Sequence, residues 1–514
     1  MTSATSFGCL ALDWWPDSKC DYTWCPWEGA SFLNLDLTSK YLRNGIAALN
    51  GGGEIFLRLG GSLCDFVRYD FPGSHDGTCR DFSDPTNATR VGYELGSGCL
   101  RVDRWDELNG FCSDIEGCNL IFGVNALIGR TNETCPADVD CHNDAGSNPC
   151  CTTWSGNWNQ SNAEALLRYT HDKGYKIYGY EFGNELAGSS GIQATNISPD
   201  VYSTDFCAFK NLVASIWSDG GDDIPKVISP DNNFDAAWYG DFVKMSFEKC
   251  GGADVITWHQ YILGAGKDEA AAEKAMDSKV LDGQIHLGDT IMSTVADNTP
   301  SDVQGPEIWM GEAGGAYNSG RPGVTNAFMS SFWYLDGFGV LSEKGHQSFC
   351  RQTLVGGNYG LLQATGTNSY APNPDFYALA LWQNLMGRSV LEVERSDGVE
   401  GEGDRDLRVY AHCQKGGNGV SILALNLAND TSKVIDVTGV DGSQRFEYVM
   451  TAGDGIDGQQ VLLNNALLEM NGSDFPDLTG AEWQQDGDGD NIGSITLEAQ
   501  SYGFFVFEGV ICNE

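Results

Sequence analysis

The feature that most constrains this chain is an alternation: short apolar segments recur between longer helical patterns. That is the pattern of parallel strands joined by helical crossovers. Candidate strands are 31–37, 54–59, 119–126, 176–182, 226–229, 254–261, 307–311 and 347–355. Eight strands of this kind over about 325 residues predict an α/β fold, a (β/α)8 TIM barrel with insertions. One unit is legible in detail. Ser161-Asn-Ala-Glu164 has the spacing of a capping box. Ala163, Leu166 and Leu167 mark one helical face, Gly174 stops the helix, and KIYGYEF follows as a strand. This strand delivers Asn184 and Glu185 to its C-terminal end. Barrels of this kind carry their active sites there, because the βα loops are free to vary.

Near residue 395 the pattern changes. LRVYAHC, VSILALNL, FEYVM, SITLEA and GFFVFEGVI read as strands, separated by GGNG, DGS, GDGIDG and DGDGDN. This predicts a C-terminal β-sandwich appended to the barrel. The expected division is 27–395 for the barrel and 396–514 for the sandwich, with residues 1–26 as a candidate contribution to the sandwich. DGDGDN lacks the twelfth-position Glu and the flanking helices of an EF-hand, so it reads as an acidic turn.

Charge narrows the function. Lys plus Arg is 30 and Asp plus Glu is 71, a net charge of −41. Phosphates would be repelled, so nucleic acid is not an expected partner. No apolar run reaches the roughly 20 residues needed to span a bilayer. Seventeen cysteines are present, nine of them from Cys64 to Cys151, with no C-x2-C pair and only seven histidines. Disulfides are favoured over zinc. The odd count leaves at least one thiol free or bonded between chains. Segment 130–158 reads as a disulfide-tied loop. Six N-x-S/T sequons, at Asn87, Asn132, Asn159, Asn196, Asn429 and Asn471, agree with a secretory route. The expected location is extracellular or cell wall, with vacuole or lysosome as alternatives. Met1-Thr-Ser-Ala-Thr-Ser has no basic region followed by an apolar core, so the signal peptide is expected to be absent from this chain. A monomer is expected.

With 71 carboxylates, any single one is a solvated charge by default. Two end candidate strands among small or polar neighbours: Glu185 in GYEFGNELAG and Glu312 in IWMGEAGGAY. A barrel brings the ends of its fourth and seventh strands together. Two carboxyls about 5–5.5 Å apart across a glycosidic bond allow retaining hydrolysis, one protonating the leaving oxygen and the other attacking the anomeric carbon. Asn184 is a candidate donor to the sugar 2-hydroxyl. In TWHQY, His259 and Tyr261 stand at i and i+2 and face the same way on a strand. Tyr261 is a candidate to hold the nucleophile as an anion. Arg58, in FLRLGGS, reads as a structural cation under the site or a binder of its carboxylates. No convincing GxSxG, HExxH, P-loop or dinucleotide fingerprint occurs, and no cofactor or metal is expected.

Longer motifs carry a resemblance. CLALDWWPDSKCDYTWCPW, LRLGGSLCDFVRYD, CLRVDRWDELN, YEFGNELAGS, WMGEAGGAYNSG, CRQTLVGGNYGLL and PNPDFYALALWQNLMGRSVL, with the tail segments LRVYAHC and SYGFFVFEG, resemble the heparanase-like glycoside hydrolases of family 79, above all the plant-type members. The resemblance runs from about Cys9 to Cys512. It implies a barrel plus sandwich and retaining cleavage of β-D-glucuronides, with Glu185 as acid/base and Glu312 as nucleophile. It also implies that Tyr317, Asn318, Ser319 and Tyr359 receive the glucuronate carboxylate, and that Cys413 bonds Cys512. Animal heparanases have glycines where Asn318 and Ser319 stand. Asp36 completes the set of candidate substrate-binding residues. The expected partner is a glucuronide-containing glycan or a small glucuronide. Two alternatives stand beside it: a retaining glycosidase for a neutral sugar, and a catalytically inactive glycan-binding protein.

Overall fold

A computed structural model describes residues 7–74, 98–134, 152–187, 196–218, 224–394, 404–478, 482–485 and 492–512. Eight parallel strands close a barrel in chain order. They are β1 (Gly8–Leu12), β2 (Ile55–Leu59), β3 (Cys118–Val124), β4 (Ile177–Phe182), β5 (Lys226–Asn233), β6 (Val255–Gln260), β7 (Glu307–Ala313) and β8 (Ser348–Arg351). One long helix follows each: α1 (Lys40–Leu49), α2 (Val102–Ser113), α3 (Ser161–Lys173), α4 (Pro199–Ile216), α5 (Ala236–Cys250), α6 (Ser278–Asn298), α7 (Ser330–Glu343) and α8 (Pro374–Leu385).

The expected first strand, 31–37, is a run of turns. Its polar residues explain this. The Asn34 side chain accepts from Ser31 N at 2.9 Å, a local bond that competes with a strand ladder. Its apolar Phe32 packs edge-on against Trp14 instead. The true first strand is Gly8–Leu12, five residues buried on both faces, paired with β2 and β8. Among the described residues, Gly8–Leu12 of the N-terminal segment closes the barrel. The expected capping box also differs. No side chain caps α3 from its N-cap position. Asn159 Oδ1 accepts from Ser161 N at 3.0 Å, and Glu164 pairs with Arg168 one turn on. Gly174 does end α3, at φ 67°.

The barrel interior is layered. Toward the N-terminal ends of the strands lie Cys9, Phe56, Ile121, Ile228, Val255, Trp309 and Cys350, with Tyr178 against them. Cys9 and Cys350 are disulfide-bonded, tying β1 to β8. The next inward positions toward the C-terminal ends carry charge and are described below.

The C-terminal domain is a β-sandwich. Its large sheet contains β9 (Met386–Leu391), β10 (Leu407–Gln414), β11 (Gly419–Asn426), β12 (Gln444–Ala452) and β13 (Ser501–Glu508), in the spatial order β9-β10-β11-β13-β12. The sheet thus begins before residue 395. Side chains alternate. Tyr410, Leu423, Leu425, Tyr502, Phe504 and Val506 belong to the barrel's core. Ala411, Ile422, Ala424, Phe505 and Phe507 face a second core with Ile495 and Leu497 of a two-stranded sheet. Burial on both faces explains the unbroken apolar run GFFVFE. On the barrel side, Tyr410 lies so close over α7 that a Cβ at Gly339 would sit 2.2 Å from its ring.

Cys413 and Cys512 bond, with Cα atoms 5.4 Å apart and a sequence separation of 99. In the chain-entropy model a loop of that length stabilises by about 4–5 kcal/mol. Cys20–Cys25, Cys112–Cys118 and Cys207–Cys250 are further bridges, and Cys99 is bridged as well. Cys64 is the free, buried thiol among the described residues. The core of segment 130–158 and the DGDGDN turn lie outside the described residues. Among the described residues, no helix is long and apolar enough to cross a membrane.

Candidate active site

Arg58 stands at the centre of the charged layer, 1 % exposed on β2. Its Nε donates to Glu181 Oε2 at 2.7 Å, Nη1 to Glu312 Oε2 at 2.9 Å, and Nη2 to Asn184 Oδ1 at 3.0 Å and to Asp231 Oδ2. One guanidinium thus ties β2 to β4, β5 and β7. Both sequence readings of Arg58 meet here: it lies under the site and it binds its carboxylates.

Glu185 leaves β4 at a sharp turn, with φ 52°. Two bonds hold that turn. Glu185 N donates to Asp231 O at 2.7 Å, and Asn184 N donates to the buried Asp65 carboxylate at 2.8 Å. The Glu185 side chain accepts through Oε1 from His259 Nδ1 at 2.8 Å and from Asn233 Nδ2 at 3.2 Å. Across the mouth, Glu312 accepts from Tyr261 OH at 2.5 Å. His259 and Tyr261 both face inward, one on each glutamate, and a register shift after Trp258 sets His259 beside Glu312. One oxygen of Glu185, one of Glu312 and one ring nitrogen of His259 lie within 4.8 Å of one another. Such a trio has the spacing of a metal site. Here both ring nitrogens of His259 are already engaged, Nδ1 by Glu185 and Nε2 by Asp231.

Burial sets the protonation. It is the largest influence on Glu185 and raises its pKa. The Glu312 charge adds to this, and His259 opposes it. Burial also pulls His259 down, but Asp231 and Glu312 outweigh it and hold the imidazole well above its usual value. Burial pushes Glu181 up to about 8 against the pull of Arg58. Asp231 goes the other way: Arg58 and His259 overcome its burial and lower it. Glu181 and Asp231 also share a hydrogen bond that raises the first and lowers the second.

Beside Glu312 the wall is aromatic. Tyr317 meets the Tyr261 ring edge-on at 6.2 Å. Tyr359, 4 % exposed, has its OH 3.5 Å from Gln352 Nε2. Asn318 and Ser319 lie on the same loop as Tyr317, with φ of 58° and 65°. Asp36 is engaged elsewhere: it accepts from Thr38 N, Thr38 Oγ1 and Asn368 Nδ2, and none of these bonds reaches the cluster.

Sequence reasoning missed Asp13, Asp65, Glu181, Asp231 and Gln352. Asp13 follows β1, accepts from Gln352 Nε2, and is pushed to about 8 by burial and then by the Glu312 charge. A Cβ at Gly61 would stand 1.7 Å from its Oδ1, so this approach requires glycine. Asp13 was hidden by the misplaced first strand. Asp231 was readable, since it follows the apolar VIS of the fifth strand as Glu312 follows IWM.

Residues 1–339 match the model for "Glycosyl hydrolase family 79, N-terminal domain". Heparanase-like protein 1 of Arabidopsis thaliana is 38 % identical over 433 residues, 84 % of this chain and 72 % of that protein. Baicalin-beta-D-glucuronidase of Scutellaria baicalensis is 36 % identical over 473 residues, 91 % of this chain and 84 % of that protein. In fold, a 4-O-alpha-L-rhamnosyl-beta-D-glucuronidase from Fusarium oxysporum superposes with a TM-score of 0.65 at 13 % identity, covering 98 % of this chain and 96 % of that one. With two opposed glutamates at the barrel mouth and a family match over most of its length, the chain belongs to glycosyl hydrolase family 79 and is a glycoside hydrolase.

Proposed function

We propose that the enzyme is a retaining β-D-glucuronidase, with Glu185 as acid/base and Glu312 as nucleophile. The observation that carries this is the approach of the two carboxyls, whose oxygens come within 4.8 Å. That approach supports direct attack by one carboxylate over the wider spacing that accommodates an inverting enzyme's water. Tyr261 donates to Oε1 of Glu312 and Arg58 to Oε2, and together they aim the carboxyl group at the anomeric carbon. Glu185 uses Oε1 to accept from His259 and Asn233, so its acid proton sits on Oε2 and passes to the leaving oxygen. The glycosyl–Glu312 ester is then hydrolysed by a water that Glu185, now a base, deprotonates. Asn184 has its Oδ1 on Arg58 and turns Nδ2 toward the sugar 2-hydroxyl.

The substrate class rests on loop 317–320. Asn318, Ser319 and Gly320 have φ of 58°, 65° and 71° in succession. Turns with left-handed residues gather backbone N–H groups into anion-binding concavities, and Tyr359 stands beside this one. A glucuronate carboxylate fits there, on a glycan or a small glucuronide. The names of the relatives support the same reading, and the disulfides support a secretory route. The test is turnover of an aryl β-D-glucuronide, with the anomer of the first product read by NMR. The β-anomer is expected. Faster cleavage of the matching aryl β-D-glucoside would replace the substrate, and an α-anomer would replace the mechanism.

A further inference from the structure

Between β1 and α1 the chain carries a small cross-linked hairpin that makes none of the hydrogen bonds to Glu185 or Glu312 described above. Cys20 and Cys25 are bonded, and both are exposed. Inside the bridge, Asp21 and Trp24 exchange both backbone hydrogen bonds at 2.8 Å. The two residues at the tip, Tyr22 and Thr23, have φ of 56° and 116°. Tight turns with positive φ at both central positions favour Asn and Gly. A tyrosine followed by a β-branched threonine disfavours that conformation. The disulfide closes a turn that its own residues would open.

This hairpin grips loop 317–320. Ser319 Oγ donates to Asp21 Oδ2 at 2.5 Å and accepts from Trp27 Nε1 at 2.9 Å. Asn318 Nδ2 donates to Tyr22 OH at 2.9 Å. Among the described residues, every side-chain hydrogen bond of Asn318 and Ser319 goes to residues 21–27. Both residues hold a left-handed conformation, which asparagine tolerates but serine rarely adopts. The hairpin supplies the bonds that keep them in it. Lys19 completes the assembly. Its Nζ lies 2.6 Å from Asp21 Oδ1 and 4.6 Å above the Trp15 ring, with its side chain 10 % exposed. Asp21 is thus satisfied by a cation on one oxygen and by Ser319 on the other. The positive charge of Lys19 is also felt at Asp13, on the site side of the loop.

We propose that the Cys20–Cys25 hairpin is a specificity clasp: through Asp21 and Tyr22 it fixes the left-handed turn at 318–320 in the form that receives an acidic sugar's carboxylate. The inference rests on the carboxylate reading of that loop. Asp21 and Tyr22 are positioning residues, since they act through the loop. The catalytic pair is held separately, by Arg58, His259 and Tyr261. Loosening the clasp therefore weakens substrate binding and leaves the chemical step in place.

The experiment compares the wild-type chain with Cys20→Ser/Cys25→Ser, Asp21→Asn and Tyr22→Phe. Each is assayed for kcat and KM on an aryl β-D-glucuronide and an aryl β-D-glucoside. The double cysteine variant is expected to raise KM for the glucuronide about tenfold with kcat within about threefold, and to leave kcat/KM for the glucoside within about twofold. Tyr22→Phe, which removes one hydroxyl and threatens folding least, should shift KM the same way by about threefold. The wild-type preference for glucuronide over glucoside tests the substrate reading alone. The change in KM and in that preference tests the clasp. Variants that keep the wild-type KM, or that lose kcat equally on both sugars, overturn it.

Discussion

Two layers of the same barrel, set on the same strands, are opposite in character. On β2, Phe56 points into the lower layer and Arg58 into the upper. On β6, Val255 lies below and His259 above. On β7, Trp309 lies below and Glu312 above. The lower layer is dry and stacked: the Phe56 ring is 4.5 Å from Tyr178 and 5.1 Å from Trp309, and the Cys9–Cys350 bridge closes the gap between first and last strand. The upper layer places Glu181, Asp231 and Glu312 around one Arg58, all of them buried. The difference teaches how the fold separates tasks. An apolar floor keeps water from beneath the ions, so each carboxyl above must be paired or hold a proton. Stability comes from below and proton placement from above.

The contrast breaks most sharply at Glu312. Glu312→Gln should cut kcat by about 10⁴-fold or more, the scale of losing a nucleophile. The amide still accepts from Tyr261, so the melting temperature should stay within a few degrees. A large fall in stability would mean that Glu312 holds the layer together. Arg58→Met is the next largest. It strands Asp231 and Glu181 without their cation, and breaking such a buried pair costs about 3–5 kcal/mol. Denaturant unfolding should show that loss together with lost activity. The lower layer should behave differently. Cys9→Ala/Cys350→Ala should cost about 2–5 kcal/mol of stability. Its kcat/KM at a temperature where the protein stays folded should remain within about twofold. A larger kinetic effect would join the layers that the comparison separates.

The same contrast explains what the sequence could show. Strand and helix periods depend on local residue order, so seven of the eight barrel strands were legible in place. β1 was not, because GCLAL is buried on both faces and carries no alternation, while the segment after it imitates a strand. Glu185 and Glu312 were legible because each follows an apolar strand into glycine-rich surroundings. The supporting ions were not. Glu181 lies inside YEF, and nothing in its neighbours says that it points inward at Arg58. Arg58 was ambiguous for the matching reason, since its partners come from three other strands. Asp36 carried no strand-end signature of that kind, and its carboxylate accepts from Thr38 and Asn368.

Proton placement above the floor has its own test. Burial and the Glu312 charge raise Glu185, which extends the range in which it is an acid. Activity should therefore persist as pH rises past the usual carboxylate range and fall only as pH passes through this raised value. Glu185→Ala should remove that limb. Its glycosylation step should suffer by about 10²–10⁴-fold on a sugar-linked glucuronide, and much less on an aryl glucuronide whose leaving group needs no proton. Equal losses on both substrates would refute the acid role.

The smallest effect compares two histidines at the two faces of β6. His259 points into the charged layer and is held well above its usual pKa by Asp231 and Glu312, despite its burial. His346 packs behind the strand, where its Nε2 accepts from Trp258 Nε1 at 3.1 Å. Burial lowers its pKa to about 3, and no carboxylate compensates. Equal burial with opposite neighbours gives opposite shifts. The folded pKa of His346 lies below the unfolded value of about 6.5, so between these pH values the unfolded chain binds the extra proton. Its contribution is neutral above about pH 6.5 and grows unfavourable as pH falls toward 3. At pH 4.5 the linkage reaches about 2.7 kcal/mol. His346→Gln keeps an acceptor for Trp258 but cannot titrate. It should cost stability at pH 7 through imperfect packing, and then gain on the wild type by about 2.7 kcal/mol as the pH is lowered to 4.5, read by urea unfolding at each pH. A difference between the two proteins that stays constant with pH would mean that His346 keeps its usual proton affinity, and that burial alone does not set it.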